Sequence, residues 1–398
     1  MVSVQFNPFT PEAQDDPYRH YRELREDDPV QWNELVEGWV LTRYDDCVAV
    51  LRDERFSADR RRARVRIAQQ AMEGEGPFQG IGTMLSSDPP DHTRLRGLVN
   101  KAFTPRVVEA MGPHIQEIVD ELLDAVQERG SMDIIDDLAY PLPVIVIAEM
   151  LGVPPEQRDT FKRWSDDLVA TLGGPLAQPD TVERARRSAE EMFAYFRDVI
   201  AERRRDPKDD LISGLIAAKE QDEALSEDEI LATCALLLAA GNETTTNLIG
   251  NGTLALFRNP DQLERLRADP SLVEPAVEEL LRYDGPVQAT GRVATEPVEI
   301  GGKVCEEGQL ALCIIGAANH DPAQFADPET LDIGRRENRH IAFGFGIHFC
   351  LGAPLARAEG QIAFRTLLQR MPKLRQAGEP VRGGNFILRG LTKLPAEF

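Results

Sequence analysis

The residues best suited to chemistry lie near the end of the chain, where residues 343–352 form a glycine-rich segment around one cysteine. Helix-forming residues follow Cys350 directly, so first-turn N–H groups and the helix dipole would lower the pKa of its thiol and favour the metal-binding thiolate. Gly344, Gly346 and Gly352 allow the backbone to lie close to a flat, bulky group. We interpret the segment as a site where a thiolate meets iron in a macrocycle. The alternative is a buried structural cysteine that precedes a helix.

A second candidate lies inside a long helical pattern that begins near Ser226 and runs to about Phe257. Residues 239–246 in its middle include one glycine and three threonines. These are poor helix formers, and threonine hydroxyls compete for backbone carbonyls and bend helices. A locally opened helix has room for a small ligand or a water molecule. Glu243 beside Thr244 places an acid next to a hydroxyl, which suits a proton relay. The alternative is a packed Ala/Gly helix crossing.

Two charged pairs occupy helical spacings elsewhere in the chain. His92 and Arg96 are four residues apart in a helix predicted over about 91–103, so they share one face and suit an anion such as a carboxylate. Glu279 and Arg282 are three residues apart in a later predicted helix, where an exposed salt bridge would be ordinary and weak. Taken alone, each pair is explained as surface charge.

Together these segments resemble the cytochrome P-450 family, in the family's order and spacing, over essentially the whole chain. The cysteine loop of that family has the pattern F-x-x-G-x-x-x-C-x-G, which is filled here by Phe343, Gly346, Cys350 and Gly352. The family's H-x-x-x-R and E-x-x-R patterns match the two charged pairs. Its A-G-x-[D/E]-T pattern matches at Gly241, Glu243 and Thr244, with Glu in place of the commoner Asp. The chain departs from the family's A-N-R-D segment, where His320 replaces the arginine.

The resemblance implies a haem b cofactor whose iron takes the Cys350 thiolate as its axial ligand. It also implies that Glu243 and Thr244 are catalytic, because the acid and the threonine of the family deliver protons on the oxygen-binding side of the haem. Glu279 and Arg282 would be structural and would tie their helix to the stretch before the cysteine loop. The residues that the resemblance places around the cofactor are His92, Arg96, Ala240, Gly241, Arg292, Phe343, Gly344, His348, Cys350 and Gly352.

Hydrophobic periodicity predicts a mainly α chain with a small β-rich region. The resemblance implies a single cytochrome P-450 domain over residues 1–398, with a long central helix at about 226–257. The β-rich part is predicted mainly at 29–42, 286–315 and 380–398. Glycines and a proline separate two further helices, at about 155–172 and 180–204, which by the resemblance form a lid over the substrate.

Apolar side chains near these elements predict a hydrophobic substrate of fatty acid, terpenoid, steroid or polyketide (macrolide) type. The candidate contacts come from an irregular stretch at about 56–88, the middle of the long helix, the β-rich region and the last hairpin. They are Phe78, Met84, Leu237, Ala240, Val287, Ala289, Thr290 and Ile387. The arginine-rich run at residues 60–66 is interpreted as a solvated surface without a function.

Composition restricts the class of protein and its surroundings. The formal net charge of −22 is spread along the chain and argues against a general nucleic-acid binder. The 5 cysteines include no C-x-x-C pair, which argues against a disulfide framework or a zinc site and favours a reducing compartment. The first residues lack a signal-peptide pattern, and no apolar run approaches the ~18 residues of a membrane span. We expect a cytoplasmic monomer with neither a membrane nor a nucleic-acid partner.

The expected function is a monooxygenase that inserts one oxygen atom from O2 into the hydrophobic substrate. Electrons would come from a ferredoxin or flavodoxin with its NAD(P)H reductase, which would dock on the cysteine side through basic residues. The basic residues expected there are Arg94, Lys101, Arg106 and Arg357. Two alternatives stay open. One is a peroxide-driven haem-thiolate peroxygenase, against which the acid–threonine pair counts, and the other is a non-catalytic haem protein that binds a ligand.

Overall fold

The computed structural model of the chain describes residues 7–8, 10–64, 83–170, 179–220, 223–384 and 386–398. The described helices are α1 (Pro11–Asp15), α2 (Pro17–Asp27), α3 (Tyr44–Arg52), α4 (Asp91–Ala102), α5 (Pro105–Gln127), α6 (Pro141–Met150), α7 (Arg158–Val169), α8 (Pro179–Arg205), α9 (Leu211–Ala217), α10 (Glu227–Arg258), α11 (Pro260–Ala268), α12 (Val273–Tyr283), α13 (Ile315–Ala318) and α14 (Ala353–Arg370). The described strands are β1 (Val30–Asn33), β2 (Gly38–Leu41), β3 (Phe56–Ser57), β4 (Ser131–Asp133), β5 (Lys219–Glu220), β6 (Glu223–Ala224), β7 (Ala289–Ala294), β8 (Val298–Ile300), β9 (Lys303–Cys305), β10 (Leu310–Ile314), β11 (Arg375–Gln376), β12 (Val381–Gly384), β13 (Arg389–Lys393) and β14 (Pro395–Glu397).

Helix α10 is the element against which most other helices pack. Its 32 residues correspond to a length of roughly 48 Å. A capping box starts it, because the Ser226 hydroxyl accepts from the Glu229 N–H while the Glu229 carboxylate accepts from the Ser226 N–H. The predicted local opening is wrong: α10 is helical throughout. The Thr244 hydroxyl donates to the Ala240 carbonyl at 2.9 Å and so bonds the preceding turn without breaking it.

The largest sheet contains five strands in the order β1-β2-β10-β7-β3. Strands β1 and β2 form an antiparallel hairpin, and β10 runs parallel to β2 but antiparallel to β7. In that last pairing Ala311 lies opposite Arg292, whose side chain is buried. The sheet therefore holds a cationic side chain at a fixed position in the interior.

The C-terminal strands close over the end of α10. Strand β12 pairs with β13, and a single bridge joins Val287 to Leu388 just before β13. Asn251 of α10 donates its amide hydrogens to the carbonyls of Asp284 and Arg389 at 3.2 and 3.0 Å. These bonds fix the segment after α12 and the last hairpin to the same buried helix.

The main hydrophobic core lies where α5, α6, α10, α12 and α14 meet. Gly252 permits the closest of these approaches, since a Cβ there would lie 2.6 Å from Phe364 Cζ and 3.0 Å from Leu280 Cδ1. The prediction of a mainly α, single-domain chain with small sheets is confirmed. Within the described ranges, every helix is too short or too polar to traverse a lipid bilayer.

A buried ion network connects α12 to the irregular stretch that leads into the cysteine loop. The side chains of Glu279 and Arg282 are both 0% exposed and form two hydrogen bonds of 2.8 Å. Arg282 also donates to the carbonyls of Asn319 and Pro328, and Glu279 accepts from Arg335 at 3.0 Å. Buried charges are tolerated only when they are paired and hydrogen-bonded in this way. The pair is therefore structural, as the resemblance implied.

We predict that Arg282→Ala lowers the free energy of unfolding by about 3–5 kcal/mol, because it leaves a buried carboxylate without its main partner. Chemical denaturation of the purified protein measures this change. The matched control is Arg265→Ala, which removes an exposed ion pair of 2.8 Å to Asp332 and should cost no more than about 1 kcal/mol. Equal effects of the two substitutions would contradict the structural role of the network.

Candidate active site

The cysteine loop is held in place by backbone contacts that its glycines permit. Gly344 and Gly346 both have φ of 74°, in the left-handed region. A Cβ at Gly346 would lie 2.7 Å from the Leu51 carbonyl oxygen, so only glycine lets the loop pack this closely on α3. The Cys350 N–H donates to the Phe343 carbonyl at 2.9 Å and closes the loop directly before α14.

Cys350 differs from the other four cysteines, because it is exposed whereas they are all buried. The prediction of a lowered thiol pKa is wrong for the protein alone. Solvent reaches part of the side chain, but the surrounding protein atoms still desolvate the thiol. This desolvation raises the pKa of Cys350 and outweighs the N–H groups of Gly352 and Ala353 and the charge of Arg96, which lower it. The helix start is therefore present as expected, but a bound metal is needed to hold the thiolate.

Four predicted donors lie close enough for contacts or electrostatic interactions with one another. The rings of His92 (α4) and His348 (cysteine loop) lie with their centroids 4.2 Å apart. Arg96, one turn after His92, donates through Nη2 to the Phe349 carbonyl at 2.8 Å and so joins α4 to the loop. Burial, together with the charges of Arg292 and His92, lowers the pKa of His348 to about 4. Arg96 and Arg292 lower the pKa of both histidines, so further positive charge is disfavoured here, which is the electrostatic setting of an anion site.

Two further observations point to an anion at this position. His92 Nε2 is buried and has no hydrogen-bond partner among the described residues. Burial lowers the pKa of Arg292 and of His348. Asp88 is the one carboxylate that raises the pKa of both groups. Asp88 already accepts from the Ala58 N–H at 2.8 Å and from the Ser57 hydroxyl. The donors thus have unused capacity for additional carboxylates.

The described part of the arginine run is solvated as predicted, since Arg60, Arg61, Arg62 and Arg64 are all exposed, but Arg60 differs from the others in its partners. Arg61, Arg62 and Arg64 do have carboxylate neighbours, at 2.7, 3.7 and 2.8 Å. The Arg60 side chain has none among the described residues, surrounding protein lowers its pKa, and its charge lowers the pKa of Arg292. The sequence could not predict this difference, because it depends on which carboxylates lie near each side chain once the short helix at Arg60–Arg62 has formed.

The middle of α10 presents the second half of the site. Ala240 is exposed although Leu238 and Asn242 beside it are buried, so this part of the helix borders an internal space. Gly241 packs its backbone against Ile147 of α6, where a Cβ would lie 3.7 Å from Cγ1. Thr244 lies one turn after Ala240 and is half-buried.

Glu243 is poised to exchange a proton near neutral pH. Burial raises the pKa of its carboxyl to about 7, a hydrogen bond from Asn247 lowers it, and the charge of Asp166 raises it. Asp166 in turn accepts from the Tyr140 hydroxyl at 2.8 Å, and Asn242 donates to Ser165 at 3.0 Å. Polar groups of α7 therefore reach the helix turn that carries Glu243.

Glu359 is a second buried acid that the sequence reasoning missed. It lies on α14, nine residues after Cys350, and is 2% exposed. Burial raises its pKa to about 8, and a hydrogen bond from the hydroxyl of Thr245 on α10 lowers it. The only sequence feature that could have identified Glu359 is the presence of a glutamate in an otherwise apolar helix face. The structure thus places titratable carboxyls next to both Thr244 and Thr245.

Two of the four residues predicted to form a basic patch, Arg94 and Arg357, are paired with glutamates, and docking at Lys101 and Arg106 stays a prediction. Arg94 pairs with Glu229, and Arg357 forms two hydrogen bonds of 2.7 and 2.8 Å with Glu278. Burial alone would raise the pKa of Glu278, but hydrogen bonds from Arg357 and His340 lower it to about 2. Arg357 also lies 4.6 Å from the centroid of the Phe343 ring, where it supports the cysteine loop.

The predicted substrate contacts separate into two groups. Ala289 is a correction, because it is 2% exposed and packs in a core cluster with Tyr21 and Leu312. Met84 and Leu237 are buried in the main core. The half-buried or exposed members are Ala240, Val287, Thr290 and Ile387. Phe78 and the joint at residues 173–175 lie outside the described residues.

We predict that the two buried glutamates make the protein less stable as pH rises. The pKa of Glu359 is raised from 4.5 to about 8. Its contribution to the free energy of unfolding is therefore fully present below the unfolded value and is lost as pH rises through the folded value. Thermal midpoints at mildly acidic and alkaline pH should differ less in Glu359→Gln than in the parent. The exposed Glu109→Gln serves as control, and an unchanged pH dependence in Glu359→Gln would contradict the raised pKa.

Comparisons with known proteins agree with this geometry. The family model described as Cytochrome P-450 matches residues 36–373. The chain is 43% identical to the cytochrome P-450 CYP107DY1 of Priestia megaterium, over 100% of both chains, and 42% identical to the 6-deoxyerythronolide B hydroxylase of Saccharopolyspora erythraea, over 95% of both. The solved structure of PksS, the cytochrome P-450 of the Bacillus subtilis bacillaene polyketide synthase, superposes with a TM-score of 0.91 at 40% identity, covering 99% of both chains.

The donor set described above fits the cofactor of that family, since an exposed thiol stands beside cationic groups with capacity for carboxylates. The chain belongs to the cytochrome P-450 monooxygenases, enzymes that carry haem b on an axial cysteine.

Proposed function

We propose that this protein inserts one oxygen atom from O2 into a hydrophobic small molecule, with electrons from a separate carrier protein. The observation that carries the proposal is the exposed Cys350 thiol at the start of α14, in a chain whose other cysteines are all buried. A thiolate-ligated haem supplies the activation of O2 when it is bound there. The residues of the protein position the substrate, exclude water and supply protons.

His92, Arg96, Arg292 and His348 hold the two carboxylates of the haem in this proposal. Support comes from the lowered pKa of each group and from the buried, unpartnered His92 Nε2. Pairing with carboxylates would relieve the mutual repulsion of the four groups. Cys350 is the metal ligand, and Phe343, Gly344 and Gly352 shape its loop. Ala240 and Gly241 offer a flat stretch of α10 against the other side of the cofactor.

Glu243 and Thr244 carry protons to the reacting side in this proposal. A carboxyl with a pKa of about 7 is close to half protonated at neutral pH, which is the best compromise for a group that must both accept and release a proton. The Thr244 hydroxyl can donate and accept at once. Its present donation to the Ala240 carbonyl leaves its lone pairs available to a water or to the Glu243 carboxyl.

The substrate that we favour is a macrolactone or a related polyketide. The similar proteins support this class, since one is named for hydroxylation of 6-deoxyerythronolide B and another belongs to a polyketide synthase. The candidate contacts Ala240, Val287, Thr290 and Ile387 offer mostly apolar surface with one hydroxyl, which suits a large ring that carries few polar groups. Members of the family take electrons from redox partners, and the partner that we favour here is a ferredoxin or flavodoxin with its NAD(P)H reductase.

The proposal is tested by reconstituting the protein with a ferredoxin, a ferredoxin reductase and NADPH, and by supplying a macrolactone, a long-chain fatty acid or a steroid under isotopically labelled O2. We expect the macrolactone to shift the ferric haem spectrum at the lowest concentration and to yield a product that contains one labelled oxygen atom. Mass spectrometry of the product measures the incorporation. Turnover that requires peroxide and proceeds without label from O2 would overturn the proposal in favour of a peroxygenase.

Cys350→Ala is the matching variant for this experiment. It should abolish the thiolate-type band of the reduced, carbon monoxide-treated protein together with product formation. Cys305→Ala alters a buried cysteine in β9 and should leave both unchanged. A thiolate-type band that survives in Cys350→Ala would refute the assignment of the ligand.

We further predict that Thr244→Ala separates electron use from product formation. Removal of the hydroxyl takes away one step of proton supply, so product formed per NADPH consumed should fall by about tenfold or more. Thr233→Ala is the control. Like Thr244, Thr233 donates its hydroxyl to the carbonyl four residues earlier, that of Glu229 at 2.7 Å, but it lies near the start of α10. Full coupling in Thr244→Ala would contradict the relay.

A further inference from the structure

A cavity of about 180 Å³ lies between α1, α2 and the last hairpin. None of the residues assigned to the haem lines it. Its apolar walls include Ala13, Pro17 and Phe386, and its polar side is formed by Gln288, Arg382 and Arg389. An engineered apolar cavity of about 150 Å³ suffices to bind benzene, so this space can hold a ligand the size of one aromatic ring with a small substituent.

The charges beside the cavity do not balance. Arg389 donates from Nε to Asp284 Oδ1 at 2.7 Å and from its other nitrogens to the carbonyls of Gln14 and Asp15 at 2.5 and 2.8 Å. Arg382 Nη2 lies 3.5 Å from the other oxygen of the same Asp284 carboxylate. Two guanidinium groups therefore share one carboxylate, and the cluster keeps one positive charge in excess.

Arg382 is the member of this cluster whose bonding is incomplete. Its Nη1 donates to Asn251 Oδ1 at 3.1 Å, but its buried Nη2 makes no hydrogen bond to any described residue. Burial lowers the pKa of the Arg382 guanidinium, Asp284 raises it, and Arg389 lowers it again. Arg382 therefore has only part of one carboxylate, which it shares with Arg389, and this incomplete neutralisation favours a ligand that brings a negative charge and hydrogen-bond acceptors.

The remaining acidic groups nearby do not satisfy Arg382. The side chains of Asp15 and Asp16 are exposed, and Asp16 accepts from the Tyr18 N–H at the start of α2. The Tyr18 hydroxyl is a donor, and it already bonds Asp284 Oδ1 at 2.7 Å. Gln288 lines the cavity beside these groups, and its Oε1 is a buried acceptor without a described partner.

We propose that this cavity is a second ligand site, separate from the haem, for a small carboxylate with an apolar body. The carboxylate pairs with Arg382, and the apolar body lies between Pro17, Ala13 and Phe386. A planar carboxylate suits a guanidinium because the two groups can form parallel hydrogen bonds. The proposal is independent of the substrate class suggested for the haem site.

The experiment titrates benzoate into the ferric holoprotein by calorimetry, with benzamide as the neutral molecule of the same shape. We expect benzoate to bind saturably and at least about tenfold more tightly than benzamide, since a charge-assisted pair contributes a factor of this order. The ferric haem spectrum should stay unchanged during the titration. Equal affinities for the two molecules, or a haem spectrum that changes with the same dissociation constant, would overturn the proposal.

Two variants locate the site independently. Arg382→Gln removes the charge but keeps an amide that can donate to Asn251, and Ala13→Leu fills the cavity without touching the ion cluster. Both should weaken benzoate binding by about tenfold or more, while the exposed Arg336→Gln should not change it. The thiolate-type band of each variant confirms its fold. Undiminished benzoate binding in Ala13→Leu would overturn the proposal even if Arg382→Gln did not fold.

Discussion

The buried pair of Glu279 and Arg282 is the interaction on which the geometry of the site depends. Residues 319–338 form no long helix or strand, so their own backbone cannot fix their path. Arg282 satisfies three of their carbonyls, at Asn319, Pro328 and Thr330, and Glu279 binds Arg335 and the Asp332 N–H. Because neither charge has access to water, the pair is stable only while these partners stay in place. The loop that carries Cys350 follows this stretch, so the network also fixes where the loop begins.

A second constraint is electrostatic and acts on the other side of that loop. His92, Arg96, Arg292 and His348 come from a helix, a strand and the loop itself. Arg96 and Arg292 lower the pKa of both histidines, and His92 also lowers the pKa of His348. Holding such groups together costs free energy, which the fold supplies through packing of α4 and β7. A cofactor with two carboxylates would reduce the repulsion among these groups, so its binding would stabilise the folded protein.

Burial shifts the pKa values of the acids near α10 upward, whereas it shifts those of the four cationic groups downward. Glu243 and Glu359 have no cationic partner among the causes that shift them, and burial raises the pKa of each, to about 7 and about 8. Each is close to a threonine of the same helix turn, so hydroxyls and carboxyls alternate through a region of otherwise apolar packing. The Arg382 cluster shows the same principle with the sign reversed, since burial lowers the pKa of Arg382 where it shares the Asp284 carboxylate with Arg389.

The sequence by itself determined the family and predicted the cysteine ligand and the acid–threonine pair, because these depend on residue type at short, fixed spacings. It also identified α10, since a capping box and a long apolar pattern are local signals. Only the tertiary structure separated Arg60 from its three paired neighbours, showed that Arg94 and Arg357 are neutralised by glutamates, and moved Ala289 from the substrate contacts into a core cluster. It alone revealed Glu359 and the Arg382 cavity. Ion pairing, burial and pKa depend on contacts between residues far apart in the chain, and spacing along a sequence carries no information about them.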